Sequence, residues 1–363
     1  MRMQVYRHFF TERERTVLTH GEMSVSAFRY ESGSEALKVT NPKGYFIILP
    51  FQGQQIWKAC FLGRDLGMQT TVKEPVPNTD YLKTYGAFVY HCGMNSFGVP
   101  QADDNHPLHG DTPNIAYNEA YIDCGEDEKG RYIAVSGLLN FDIAFTKKYH
   151  FRPECRLYED GTVLNFTLSL TNMRTEPMEY MYLAHINFRP VDGAKLIYCA
   201  KHDREHMKVH KRIGAGVPKE QADKLMDYMN RIQEDPFLGD RVGAEDEIYD
   251  PEICWAVRYE ADENGRAYTL QYEEGAGAGY VSHPTDVLPV GVRWIARTGS
   301  EDAMGMVLPA TAEHLGYMNA KRAGMVKTLA GGETLTFSFE AGYLPDEEAR
   351  AVVRKIDSIM NRE

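Results

Sequence analysis

Between residues 130 and 198 the sequence is a succession of strand-like segments joined by short connections. Apolar, aromatic and β-branched residues dominate 132–137, 147–151, 163–170 and 178–183, and no helical periodicity separates these segments. Strand after strand at this spacing is typical of antiparallel sheets in a sandwich or barrel. A parallel fold is excluded because it needs helices between its strands. We therefore predict an all-β fold, a large antiparallel β-sandwich.

A few peripheral helices are expected around this sandwich. The segment 218–233 repeats apolar residues at intervals of three and four, and Pro218 suits the first turn of a helix. The tail 345–362 repeats the pattern, with acidic residues in its first turn. No internal repeat or low-complexity linker divides the chain. We therefore predict one domain over residues 1–363, with the first helix as an insertion and the second packed outside.

The acidic balance of the chain limits its partners. A net charge of −12 disfavours nucleic acid or an anionic membrane as the main partner, so we expect a small neutral or mildly charged ligand. The N-terminal residues contain no apolar run suited to a secretory signal, and no stretch reaches the roughly 18 apolar residues of a membrane span, so neither is expected. Six cysteines without a CxxC motif indicate reduced thiols. These features predict a cytoplasmic location and leave the oligomeric state open.

The segment 104–111 concentrates polar side chains that are suited to ligand binding or catalysis. It contains His106, His109 and Asp111, and its proline and glycine disfavour a helix. Loops fixed to a rigid scaffold are where functional side chains concentrate. A solvated surface loop that happens to be rich in histidine is the alternative, and the spacing alone does not decide between the two.

A second polar pair lies in an apolar strand-like segment, 182–188. His185 and Asn187 share one face of that strand because side chains alternate with a period of two. They suit a sheet face that binds a ligand, although a buried histidine with a satisfied hydrogen bond is a common alternative. Trp294 offers an aromatic platform of the kind on which sugars stack, or it belongs to the core.

Two patterns raise the question of a metal. The segment 202–206 matches the HxxEH pattern of inverted zinc proteases, but its charged surroundings favour a solvated segment over the helix that such ligation needs. His106, His109 and His185 with a carboxylate would suit zinc or another transition metal if the fold brought them together. The sequence alone does not show that these side chains meet, and we predict neither a metal nor another cofactor.

The order of these segments resembles the aldose 1-epimerase (galactose mutarotase-like) superfamily. The similarity rests on Leu-His-Gly at 108–110, on 185–188 after the run of strands, and on 305–311. It extends from about residue 44 to residue 344 and is greatest to a bacterial branch of unassigned substrate. The resemblance implies a galactose mutarotase-like β-sandwich that binds a sugar in a cleft on one sheet.

The resemblance also implies a chemistry. In the family, one histidine protonates the ring oxygen, a glutamate removes the proton from the anomeric hydroxyl, and the ring opens and recloses as the other anomer. His185 matches the acid and is expected to be partly protonated near neutral pH. His109 matches the second histidine, which binds the ring or a neighbouring hydroxyl. His106, Asp111, Asn187 and Trp294 are expected to bind the substrate.

The sequence departs from the family at the base. Related proteins carry glutamate directly before Pro-Ala-Thr, where this chain has Leu308. Glu313 is the first candidate to replace it, Asp286 is a second that would also contact the substrate, and His314 is a third. We therefore predict a carbohydrate-active isomerase that epimerises a sugar or sugar derivative. The alternative is a sugar-binding protein that has lost the base.

Overall fold

The protein, seen here in a computed structural model, is described over residues 1–214, 216–243 and 249–361. Within these residues it forms 22 strands and three α-helices, with three short 3₁₀ helices. The strands are β1 (Arg2–Val5), β2 (Arg15–His20), β3 (Met23–Arg29), β4 (Glu35–Asn41), β5 (Gly44–Ile48), β6 (Ile56–Phe61), β7 (Arg64–Asp65), β8 (Val89–Met94), β9 (Glu119–Asp127), β10 (Gly130–Ile143), β11 (Lys147–Tyr158), β12 (Val163–Asn172), β13 (Met178–Ile186), β14 (Lys195–Tyr198), β15 (Met207–Val209), β16 (Tyr249–Arg258), β17 (Arg266–Glu273), β18 (Gly277–Pro284), β19 (Val290–Arg297), β20 (Asp302–Ala310), β21 (Lys327–Leu329) and β22 (Thr334–Pro345).

The strands form two sheets whose neighbours run antiparallel. The smaller, nine-stranded sheet has the order β1-β9-β10-β11-β12-β22-β18-β17-β14. The larger, 13-stranded sheet follows β15-β16-β19-β20-β13-β8-β6-β5-β4-β3-β2, with β21 beside β13 and β7 beside β6. All four strand-like segments between 130 and 183 are strands, so the predicted all-β, antiparallel fold is confirmed.

Strand β12 shows why the sequence folds in this way. Leu164, Phe166, Leu168 and Leu170 are fully buried, while the residues between them are partly or fully exposed. This alternation matches the two-residue period of a strand with one face in the core. Each buried side chain of this size contributes about 1.5–3 kcal/mol relative to an exposed one.

The two sheets pack face to face, which makes the fold a sandwich. Tyr182 on β13 contacts Phe337 on β22, with ring centroids 5.1 Å apart. His91 on β8 contacts the rings of Phe151 and Phe166 in the smaller sheet. Since side chains alternate along β13, the residues that follow Tyr182 at odd positions point away from the smaller sheet. The outer face of the larger sheet is therefore available for a site.

Both predicted helices are present at the periphery. The segments expected at 218–233 and 345–362 form helices within one or two residues of those bounds, although Arg362 lies outside the described residues. The first packs on β15 and β16, and the second on β17, β18 and β22. The helices are α1 (Lys219–Glu234), α2 (Tyr317–Arg322) and α3 (Asp346–Met360). The single-domain organisation stays a prediction.

In the described part of the chain, no helix combines the length and the apolar character that crossing a lipid bilayer requires.

Candidate active site

A cavity of about 240 Å³ lies against the outer face of the larger sheet. Four neighbouring strands form its floor in the order β16-β19-β20-β13. Most of the lining residues alternate along their strands with the two-residue period, although Pro251 on β16 also lines the cavity beside Glu252. The floor side chains are Glu252 and Cys254 on β16, Val292, Trp294 and Ala296 on β19, Leu308 on β20, and Leu183 and His185 on β13.

The strand order places Glu252 and His185 on opposite sides of this floor. Their strands β16 and β13 flank β19 and β20, so about 14 Å separates the two backbones at the usual strand spacing. Both side chains nevertheless touch Trp294. The indole Nε1–H donates to Glu252 Oε2 at 2.6 Å, and the imidazole of His185 lies 5.5 Å from the indole centroid. A carboxyl group and an imidazole therefore face one cavity from two sides.

The hydrogen bonds of Asn187 fix the tautomer of His185. Asn187 Nδ2 donates to the carbonyl oxygen of Ala87 at 2.9 Å, which leaves Oδ1 as the acceptor. Tyr85 donates its hydroxyl to Oδ1 at 3.2 Å, and His185 Nδ1 lies 2.7 Å from the same oxygen. Because Oδ1 only accepts, the Nδ1 atom of His185 carries the proton. The lone pair of Nε2 is left for a ligand.

Burial keeps His185 neutral. It lowers the pKa of His185 to about 4, and the hydrogen bond with Asn187 offsets only part of this effect. The charged form is disfavoured because the cavity takes the imidazole out of water. The expectation that His185 is partly protonated near neutral pH is therefore wrong for this structure. At neutral pH its Nε2 atom is a proton acceptor.

His109 meets His185 at the roof of the cavity, and the predicted meeting of the two imidazoles is confirmed. Their ring centroids are 5.0 Å apart and their planes nearly perpendicular. The Nδ1 atom of His109 is buried without a hydrogen-bond partner among the described residues. Burial, together with the neighbouring histidines, holds the pKa of His109 well below its usual range. A buried polar atom without a partner is costly, and such an atom is unusual outside a functional site.

The backbone around His109 explains the Leu-His-Gly sequence. His109 has a φ of 59°, a left-handed conformation that non-glycine residues rarely adopt and that clusters at functional sites. Gly110 follows with a φ of 83°, and a Cβ atom there would lie 2.1 Å from the carbonyl oxygen of Ser96. Backbone bonds of His109 to Gly98 and Gly93 hold the turn in place. Position 110 therefore has to be glycine.

His106 and Asp111 lie on the other side of this loop and do not reach the cavity. Both line a separate cleft of about 850 Å³. His106 donates Nδ1–H to the carbonyl oxygen of Pro107 at 2.8 Å, and its Nε2 accepts the N–H of Tyr317 at 3.4 Å. Asp111 Oδ2 accepts from Asn95 at 3.4 Å. The structure thus corrects the expected position of both residues, because neighbouring groups already satisfy them away from His185.

The carboxylates suggested by the sequence as a base lie elsewhere. Glu313 pairs with Lys208, with Nζ and Oε2 3.0 Å apart, and faces His210 rather than the cavity. Asp286 is exposed on the connection between β18 and β19, where it accepts the N–H of Val287 at 2.8 Å. Neither faces His185, so the structure corrects the expected position of both.

Sequence reasoning missed the carboxyl groups that do line the cavity, Glu252 and Glu301. Glu301 lies just before β20 and accepts the hydroxyl of Thr71 at 3.2 Å. The signal for Glu252 was weak: one acidic residue just before the apolar run 253–257. Its meeting with His185 depends on strand order, which the sequence did not provide.

His314, the third candidate base, does line the cavity. Its Nδ1 lies 3.6 Å from the sulfur of Cys254, and its ring lies 4.8 Å from that of His210. Burial lowers the pKa of His314 to about 3. Across residues 1–214, 216–243 and 249–361, no group of three His, Cys, Asp or Glu side chains has the geometry to hold a metal ion. The metal interpretation of the histidines thus receives no support.

Several solved structures are similar to this one over most of the chain. A Klebsiella pneumoniae protein named as a candidate aldose 1-epimerase has a TM-score of 0.80 at 17% identity, over 96% of this chain and 92% of its own. A galactose mutarotase-like protein of Clostridium acetobutylicum has a TM-score of 0.59 at 13% identity, over 89% and 99%. A galactose 1-epimerase of Lactobacillus acidophilus has a TM-score of 0.51 at 11% identity, over 92% and 98%. The fold is therefore galactose mutarotase-like, as the sequence resemblance implied.

Comparison at the level of sequence is more specific to this chain. No curated protein matches it. One family profile does, over residues 31–342, which is most of the chain and includes every residue of the cavity described above. The chain therefore belongs to the family described as Domain of unknown function (DUF4432), and it has a galactose mutarotase-like fold.

Proposed function

We propose that the protein is an isomerase that epimerises a sugar or sugar derivative in the cavity by acid–base catalysis. One observation carries the proposal: His185 and Glu252 enter the cavity from opposite sides and both touch Trp294. Opening a sugar ring needs a proton acceptor at the anomeric hydroxyl and a proton donor at the ring oxygen. A pair of groups that face each other across one ring meets this requirement.

The neutral state of His185 assigns the starting roles. Nε2 of His185 accepts the proton of the anomeric hydroxyl, because its Nδ1–H is already directed at Asn187. The proposal requires Glu252 to enter the cycle as a carboxylic acid, which donates its proton to the ring oxygen through Oε1, since Oε2 is held by the indole of Trp294. The bond between C1 and the ring oxygen breaks, C1 becomes a carbonyl carbon, and rotation about C1–C2 exposes its other face. Reclosure returns both protons and gives the other anomer.

This assignment reverses the roles that the family resemblance implies, in which the histidine donates and a glutamate accepts. Two observations support the reversal. Burial lowers the pKa of His185 to about 4, and Leu308, which can take no proton, lines the cavity at the family's usual glutamate position. His109, which lines the cavity beside His185, is the candidate to bind a substrate hydroxyl.

The test is anomer interconversion, followed by exchange NMR over a panel of aldoses, ketoses and deoxy sugars. We expect the His185→Gln and Glu252→Gln variants to lose about 10²–10⁴-fold in kcat, the usual contribution of a general acid or base. Glu313→Gln is the matched control: it removes a carboxylate that the sequence suggested but that lies outside the cavity. Turnover that survives His185→Gln, or that depends on Glu313, would contradict the proposal.

A second candidate function is sugar binding without catalysis. Leu308 favours it, because the side chain at the family's base position is apolar and lines the cavity. Saturable binding of a sugar without any interconversion, unaffected in affinity by Glu252→Gln, would favour this alternative over the isomerase.

A further inference from the structure

The middle of the cavity floor is apolar, although its two sides are polar. Val292 and Leu308 are direct cross-strand partners on β19 and β20. Ala296 lies on the same face of β19, and Leu183 lies beside His185 on β13. These four side chains, here named the apolar stripe, run between Glu252 and His185. A ring held by both of those residues therefore lies over the apolar stripe.

Part of the roof is apolar as well. Leu82, Val99 and Leu108 line the cavity there, next to the rings of Tyr81 and Tyr85. A ligand is consequently flanked by apolar side chains from the floor and from part of the roof, with polar groups around only part of its edge. The volume of about 240 Å³ lies below the range of about 300–1,000 Å³ that drug-sized ligands fill, and suits a single ring.

None of the remaining polar groups that line the cavity in the described part of the chain carries a positive charge. Glu252 and Glu301 supply two carboxyl groups, and burial keeps the imidazoles of His185 and His314 neutral. Among the described residues that line the cavity there is no lysine or arginine. A carboxylate, phosphate or sulfonate on the ligand would lose its water without gaining a cation. Neutral hydroxyl groups, by contrast, find acceptors at the rim.

We propose, building on the proposed function, that the cavity selects neutral sugars that lack a hydroxyl group on the edge over the apolar stripe. The simplest such class is the 6-deoxyhexoses. A hydroxyl group placed there would lose its hydrogen bonds to water without finding a partner, whereas a methyl group gains from burial. Apolar pockets discriminate against an added hydroxyl by up to about 100-fold.

The experiment compares matched sugars that differ by one oxygen. The pairs are D-galactose with 6-deoxy-D-galactose, and L-mannose with 6-deoxy-L-mannose, with D-galacturonate as the anionic member. Exchange NMR gives kcat/KM for each sugar, and saturation-transfer NMR ranks their binding. We expect the deoxy member to be preferred by about 10- to 100-fold in at least one pair, and D-galacturonate to be disfavoured by about 100-fold or more. Equal use of both members of each pair, or use of D-galacturonate, would overturn the inference.

A variant of the stripe sharpens the test. Leu308→Asn places an amide on the stripe and should narrow the deoxy preference to within a few-fold, whereas Leu308→Met keeps the stripe apolar and should retain the preference. Thermal unfolding checks that both variants fold. If no sugar is interconverted, the proposed function fails, and the binding ranks still test the selectivity. Equal binding of both members of each pair, or no binding, then overturns the inference as well.

Discussion

The loop 104–111 separates two concave regions and contributes different residues to the lining of each. On one side, the cavity of His185 and Glu252 is small and mostly apolar, and the Nδ1 atom of His109 lacks a partner among the described residues. On the other side, the cleft of His106 is more than three times larger, at about 850 Å³ against about 240 Å³, and lined mainly by polar side chains.

The two regions differ in whether their polar side chains are available to bind a ligand. In the cleft, His106 and Asp111 are engaged by Pro107, Tyr317 and Asn95. In the cavity, burial has lowered the pKa of His109 and His185, and the hydrogen bond of His185 to Asn187 leaves its Nε2 atom for a ligand. Groups with perturbed pKa values in a concave site mark functional positions. Histidine count alone would not have distinguished the two sides.

The largest expected effect is a difference in activity between the two regions. Glu252→Gln should lower kcat by about 10²–10⁴-fold, because it removes the proposed proton donor. The matched cleft variants His106→Gln and Asp111→Asn should change kcat by less than about threefold, since neither side chain lines the cavity. Steady-state rates from exchange NMR measure both. A cleft variant that loses as much activity as Glu252→Gln would move the site to the cleft.

A stability effect shared by both regions is expected next. Gly110→Ala should destabilise the protein by about 2–4 kcal/mol, because the new Cβ atom would meet the carbonyl oxygen of Ser96 at 2.1 Å in a left-handed backbone. Urea unfolding measures the loss. Gly33→Ala is the control, since its φ of 97° is also left-handed but nothing lies within 4 Å of the added carbon. Equal losses in the two variants would show that backbone conformation alone, not the close approach, fixes Gly110.

The predictability of the fold and of the site differs for a physical reason. Alternation along strands such as β12 is a local property, so the sheets and both peripheral helices followed from the sequence. The meeting of His109 with His185 followed from the family resemblance. The role of Glu252 could not be predicted in this way. Its strand, β16, is separated from β13 in the sheet by β19 and β20, and both of these come later in the chain. The side of the loop on which His106 lies is likewise set by tertiary packing.

A smaller effect is expected from the residue that orients His185. Asn187→Leu removes the acceptor of the Nδ1 proton and should lower kcat by about 10- to 100-fold with little change in KM, the cost of one unpaired buried group being about 1–3 kcal/mol. Asn187→Asp keeps an acceptor and should retain more activity. In this variant the new carboxylate should raise the pKa of His185 and move the acid limb of the pH–rate profile upward. Equal losses in both variants would indicate that Asn187 only supports the fold.

The smallest expected effect, counted per pH unit, is on the free energy of unfolding. The pKa of His185 is about 4 in the folded protein and about 6.5 in an unfolded chain, so the unfolded state binds more protons between these values. Its stabilising contribution is complete above pH 6.5 and is lost as the pH falls toward 4, by at most about 1.4 kcal/mol per pH unit. Urea unfolding at several pH values measures the slope. His185→Gln, which cannot titrate, should reduce it, and an unchanged slope would argue against a buried neutral imidazole.

The most direct test of the central claim, that His185 is a neutral proton acceptor in the cavity, is ¹⁵N NMR of the histidine side chains between pH 5 and 8. Assignment comes from the loss of one signal set in His185→Gln. We predict that His185 carries its proton on Nδ1, with Nε2 unprotonated, throughout this range and in the presence of a bound sugar. An imidazolium at pH 7, or a neutral ring with its proton on Nε2, would contradict the account and restore His185 as a proton donor.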